Sequence, residues 1–168
     1  MVKPKFFKNS LNLMIEILSK KKPPLLSLVL ATELPRWDYT YIEDIVFVPL
    51  MAFYEDPTVK TKFKFFDGKK LVFCENKTLT ANWSFINLFR YPVLYMSQTT
   101  KLLSYYDIGH NIALTKDESF TVNFMNQPIF DITPEYETKP EEQIIEIEKE
   151  IYQFDIPIQK ERAFDFDQ

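Results

Sequence analysis

The chain has 168 residues, 46% of them hydrophobic, which suffices for one folded domain with a short extension and excludes wholesale disorder. Only two glycines occur, Gly68 and Gly109, so every phosphate-cradling loop that needs several glycines together is excluded. The formal net charge of −4 conceals an asymmetry: residues 1–130 carry 16 Lys+Arg against 12 Asp+Glu, whereas 131–168 carry 4 against 12.

The first expected element is a helix over about residues 9–20. Asn9 or Ser10 is placed to cap it by accepting a hydrogen bond from a first-turn amide. Leu11, Met14, Ile15 and Leu18 follow at helical spacing as one apolar stripe, with Leu13 and Ile17 available for a second contact. Lys20 to Lys22 suit the carbonyl end of the dipole, and Pro23-Pro24 stops the helix.

From residue 25 to 132 the signals are mainly strands. Leu25 to Thr32 and Ile45 to Tyr54 are apolar runs, and Pro49, lacking an amide for a ladder, implies an edge, a bulge or a break in the second. The clearest element is a hairpin from Val59 to Glu75. Val59, Thr61, Phe63 and Phe65 alternate with Lys60, Lys62 and Lys64, and Asp67-Gly68 is a favoured two-residue turn. That turn sets Phe65 opposite Lys70, Phe63 opposite Val72 and Thr61 opposite Cys74 on the core face. Lys60, Lys62, Lys64, Lys69, Leu71 and Phe73 are then expected on a basic outer face. Further strands are expected at about 83–96, divided near Pro92, and at 102–106, 111–115 and 119–125, with a turn at Asp117-Glu118.

The predicted class is α+β, mostly antiparallel β as a meander, sandwich or small barrel, with an N-terminal helix and a C-terminal amphipathic helix. Residues 1–132 form the globular part and 133–168 an acidic tail. In that tail Ile144, Ile147 and Ile151 recur at helical spacing, which predicts a helix over about 141–153 whose stripe must be covered.

Chemistry is sparse. One His and one Cys cannot assemble a zinc site of thiolates and imidazoles, and no cofactor motif is present, so neither metal nor cofactor is expected. Cys74, on the core face, reads as an inert small hydrophobe; as the single cysteine it also points to a reducing, intracellular setting. No signal peptide or membrane span is expected, because Glu16 interrupts the apolar run of the first twenty residues. His110 with Asp107 three residues earlier, and Ser104 or Cys74 as nucleophile, is the arrangement on which a small hydrolase would be built, whereas the carboxylate pairs Glu43-Asp44, Glu55-Asp56, Asp117-Glu118 and Glu141-Glu142 sit beside turns or helix starts where carboxylates are expected anyway. Tyr91-Pro92-Val93-Leu94 has the form of a short peptide that some viruses use to recruit membrane-scission machinery, but its place inside a strand argues for burial.

Two features remain: a basic sheet face and an acidic, isoleucine-striped tail. They lead to the expectation of a non-catalytic assembly, adaptor or structural protein acting through self-association or a protein partner, with Lys60, Lys62, Lys64, Lys69, Phe73, Ile144, Ile147 and Ile151 as the interacting residues. The low Gly and Ala and abundant Phe, Ile, Lys and Asn fit an AT-rich genome such as that of a virus or phage. The alternatives are the hydrolase built on His110 and Asp107, and binding of an anionic membrane or a nucleic acid by the Lys60–Lys70 face. Of these, nucleic acid is disfavoured because Phe63 and Phe65 alternate away from the lysines. A weak peripheral membrane contact could also use Phe6 and Phe7 with Lys3, Lys5 and Lys8.

Overall fold

The computed structural model describes residues 3–124 and 128–132, and all structural statements concern these. Besides two short 3₁₀ turns they form one α-helix and twelve strands, every paired strand antiparallel. In chain order these are β1 (Lys5–Phe6), α1 (Leu11–Ser19), β2 (Leu26–Ala31), β3 (Thr58–Val59), β4 (Thr61–Phe66), β5 (Lys69–Cys74), β6 (Lys77–Thr80), β7 (Phe85–Phe89), β8 (Tyr91–Met96), β9 (Leu102–Tyr105), β10 (Ile112–Thr115), β11 (Ser119–Val122) and β12 (Phe130–Ile132). The expected mostly antiparallel α+β class is therefore observed for these residues; the tail helix expected at 141–153 lies outside them.

The largest sheet has five strands in the order β1-β9-β8-β2-β3. At its centre β2 is buried at all six positions, because both faces of the sheet are covered. Leu26, Leu28 and Leu30 point into the main core with Leu94, Leu103 and the helix residues Leu13, Met14, Ile17 and Leu18. Val29 and Ala31 point the other way, into a second cluster with Phe7, Ile42, Ile45, Val93 and Tyr105. Burial on both sides explains why this strand reads as a continuous apolar run rather than an alternation.

Three smaller ladders complete the main core: β7 with β10, β6 with β11, and β12-β5-β4. Phe89, fully buried, meets Phe120 edge to face at 5.0 Å and so joins the first two ladders through one aromatic contact. The topology is not a simple meander. The turn at Asp117-Glu118 forms, with Asp117 at a φ of 71° and Glu118 accepting from the Thr115 amide at 2.7 Å, yet β10 and β11 do not pair with each other. Each instead pairs with an earlier strand, because Leu114 and Phe120 reach the core only by that route.

Helix α1 starts without the expected cap. Ser10 Oγ donates back to the Phe7 carbonyl three residues earlier at 2.8 Å, and Asn9 Nδ2 donates to Thr40 Oγ1, a tertiary partner, at 2.9 Å, so neither side chain caps the helix. The buried stripe is Leu13, Met14, Ile17 and Leu18, while Leu11 and Ile15 are only half-buried. The stripe is rotated from the expected one because the core lies to one side of it.

The run at 45–54 is not a strand. Pro49 opens a 3₁₀ turn at Leu50–Ala52, and the segment contributes only isolated bridges, Phe47 to Ala31 and Phe53 to Ala81. In the 83–96 stretch the break falls at Arg90 rather than Pro92. Proline is accommodated near the start of β8, where its carbonyl accepts from the Tyr106 amide at 2.9 Å. Pro92, Val93 and Leu94 are buried, as their place in a strand required.

Candidate interaction surface

The hairpin of β4 and β5 has the register its turn dictates, Thr61 opposite Cys74, Phe63 opposite Val72 and Phe65 opposite Lys70. Asp67 and Gly68 take φ values of 52° and 78°, the positive pair such a two-residue turn requires. Val72 and Cys74 join the main core and Phe63 packs against it. Toward the turn the hairpin outruns that core: Phe65 and Phe66 are 72% and 73% exposed. Within its sheet β4 pairs only with β5, so it is an edge strand, and lysines on an edge discourage pairing with another chain.

Of the sequence-predicted interaction residues, Lys60, Lys62 and Lys64 are exposed and share one face of the hairpin, and Lys69 is half-buried on the same face. Phe73 and Leu71, expected exposed on that face, are instead 7% and 9% exposed. The Lys64 ammonium lies 4.7 Å from the centre of the Phe73 ring, so the lysine stem shelters the ring and keeps its charge in water. Lys70 points to the opposite side. Its ammonium donates to the Leu18 carbonyl at 2.8 Å and the Lys20 carbonyl at 2.7 Å, and sits 4.2 Å from the centre of Phe63. The cation that closes the end of α1 thus comes from the hairpin, fifty residues away in sequence, whereas Lys20 reaches only Glu16 at 3.7 Å. Ile144, Ile147 and Ile151 lie outside the described residues.

A second exposed apolar region escaped the sequence reading. Val46, Leu50 and Met51 are 54%, 39% and 72% exposed on one segment, and Phe85 and Leu88 are 59% and 51% exposed on β7. The two segments meet near one end, where the Asn82 amide donates to the Ala52 carbonyl, and at the other each is attached to the end of β2, Phe47 by its bridge to Ala31 and Arg90 by its amide, which donates to the Ala31 carbonyl. A change of register between β7 and β10 puts Ile86 and Phe89 inward and Phe85 and Leu88 outward. The only sequence signal was Pro49, which breaks the strand that would have buried these residues.

Of the groups of the hydrolase alternative, Asp107 is held by Arg90 and the Gly109 amide. Asp107 Oδ1 accepts from Arg90 Nε at 2.7 Å and from the Gly109 amide at 2.8 Å, while Oδ2 accepts from Arg90 Nη2 at 3.2 Å. Burial opposes ionisation of Asp107, but the Arg90 and Gly109 hydrogen bonds with the charges of Arg90 and Lys5 outweigh it, and the carboxyl titrates below its ordinary value. Arg90 is correspondingly pushed up, first by the same hydrogen bond. His110 is exposed on the adjoining turn. Ser104 is fully buried in β9, and Cys74 is buried with its thiol pushed up to about 12 by loss of solvent, far from thiolate at neutral pH. No three His, Cys, Asp or Glu side chains among the described residues group closely enough to hold a metal ion, and no described helix is long and apolar enough to cross a membrane.

The N-terminal aromatics also have structural roles. Phe6 lies in β1, paired with Ser104, and packs on the main core. Phe7 is 2% exposed, 5.4 Å from Tyr105 between ring centres. Phe7 is thus a core residue and Phe6 is half-buried beside it, so of the expected weak membrane contact only Lys3, Lys5 and Lys8 stand largely outside the core. Comparison with family models, curated proteins and solved structures finds no match, so function is argued from this geometry alone.

Proposed function

We propose that this is a non-catalytic assembly or adaptor protein that works through self-association or a protein partner. The observation that carries the reading is the exposure of large apolar side chains in the second region, Val46, Leu50, Met51, Phe85 and Leu88, on two segments joined by the Asn82–Ala52 backbone hydrogen bond and both attached to the end of β2. Single exposed apolar residues are ordinary, but a group of five on adjoining segments is characteristic of surfaces that bury themselves against another protein. Methionine and phenylalanine are residue types enriched at such contacts, and this region places Met51 and Phe85 among its most exposed members.

The test is the mass of the full-length chain by light scattering or sedimentation across a wide concentration range. The expected result is a species heavier than the 20.1 kDa chain that reverts toward it when Met51 and Phe85 are both changed to lysine. A single-chain mass at every concentration, with no change on substitution, overturns self-association through this region.

A second reading has its own observation. Phe65 and Phe66 project at the end of a hairpin bearing Lys60, Lys62 and Lys64, a combination suited to an anionic membrane surface. Sedimentation with vesicles containing phosphatidylserine tests it: salt-sensitive binding lost in a Phe65→Ser, Phe66→Ser variant would favour it over a protein contact.

A further inference from the structure

We propose that the acidic segment 141–153 docks on the lysine-bearing face of the hairpin in its own chain, laying Ile144, Ile147 and Ile151 toward Phe66 and the stems of Lys60, Lys62 and Lys64. The proposal rests on the assembly reading and deepens it: the hairpin receives the tail within one molecule, and the Met51 and Phe85 region remains the surface between molecules.

The place where the described chain ends supports an intramolecular occupant. In β12, Phe130 lies opposite Val72, Asp131 opposite Leu71 and Ile132 opposite Lys70, so the strand runs toward the Asp67-Gly68 turn. Ile132, opposite Lys70, is thus one position short of the Lys69 and Phe66 pair at the end of the face in question. Eight residues, 133–140, then precede the expected helix, and at about 3.3 Å per residue they reach up to about 26 Å. A helix of thirteen residues is about 20 Å long, close to the length of a six-residue strand at about 3.3 Å per residue. The segment can therefore turn back along the hairpin without strain in its connection.

Charge selects the same face. Residues 131–168 carry 12 acidic against 4 basic side chains, with Glu141, Glu142, Glu146, Glu148 and Glu150 inside the segment itself. Lys60, Lys62 and Lys64 are exposed, and none has an ion pair among the described residues. The apolar contact on this face is Phe66, 73% exposed at the end toward which β12 runs, together with the aliphatic stems of the lysines. A short tether raises the effective concentration of the tail at this face far above that of a tail from another molecule, which favours the chain's own segment as occupant.

The experiment is zero-length carbodiimide cross-linking of the full-length protein, carried out on a mixture of unlabelled and ¹⁵N-labelled chains and read by mass spectrometry. The expected products join Lys60, Lys62 or Lys64 to glutamates of 141–150, and both halves of each product carry the same isotope. Changing Ile144, Ile147 and Ile151 to aspartate, which leaves every cross-linking group in place, should reduce their yield strongly, since withdrawing each buried isoleucine weakens docking about tenfold or more. Products of mixed isotope overturn the proposal in favour of exchange between copies. Absence of the products, or yields unchanged by the aspartates, overturns it outright. Neither result bears on the mass measurement with Met51 and Phe85, so failure here and failure of the assembly reading are separable.

Discussion

Replacing Lys70 with methionine should destabilise the protein through the helix it never touches in sequence. The ammonium donates two hydrogen bonds, at 2.8 and 2.7 Å, to carbonyls at the end of α1 that the helix itself leaves without partners. A hydrogen bond to a charged group contributes about 1.5–3 kcal/mol where shielded from water, and considerably less at the surface. One of these two bonds is part-buried and the other exposed, so their joint worth is about 1.5 kcal/mol after that discount. The contact with Phe63 at 4.2 Å adds about 0.5 kcal/mol. Methionine keeps the packing of the stem and removes both, for a loss of about 2 kcal/mol, which in a chain of this length lowers Tm by about 4–8 °C. Urea denaturation followed by far-UV circular dichroism measures the loss. Lys64→Met is the matched control on the same hairpin, expected to stay within about 0.5 kcal/mol of the parent. A Lys70→Met protein as stable as the Lys64→Met protein would refute the assignment of Lys70 as the group that closes the helix.

Three other outcomes can be checked in the same preparations. Ser104 Oγ is fully buried without a hydrogen-bond partner among the described residues, so Ser104→Ala should raise stability by about 1 kcal/mol, and a loss on denaturant titration would show that the hydroxyl is in fact satisfied. Asp107 titrates below its ordinary value in the folded protein, so its ionic contribution is complete above about pH 4, the unfolded value, and fades as pH falls through the lower folded value. The stability gap between parent and Asp107→Asn, followed by thermal melts from neutral pH downward, should therefore hold steady and then narrow in acid; a gap independent of pH would contradict the pairing with Arg90. Cys74 should resist thiol reagents at pH 8 until the protein is unfolded, and fast labelling of the native chain would place the thiol outside the core.

Local chemistry made much of the fold legible. The Asp67-Gly68 turn and a two-residue alternation are enough to set every pairing of the β4–β5 hairpin, since all the information lies within the fourteen residues Thr61–Cys74. Helix α1 could be placed by its apolar spacing, but not the side that faces inward: Leu13 and Ile17 are buried more deeply than Leu11 and Ile15 because the position of the five-stranded sheet decides it. Strands of two to four residues, β1, β6 and β12, carried too little periodicity to be seen, and each exists because a distant strand pairs with it.

The surfaces divide in the same way. The charge asymmetry between residues 1–130 and 131–168 is a property of the sequence alone, and so is the alternation that puts Lys60, Lys62 and Lys64 on one side of a strand. Only the tertiary structure decided that Phe73 is sheltered under Lys64, that Lys70 closes a helix, that Phe7 is core, and that Met51 and Phe85 are left in water. The reason is physical: side-chain alternation is set between neighbours in sequence, whereas burial depends on which remote segment arrives to cover a face, and no local pattern records that arrival.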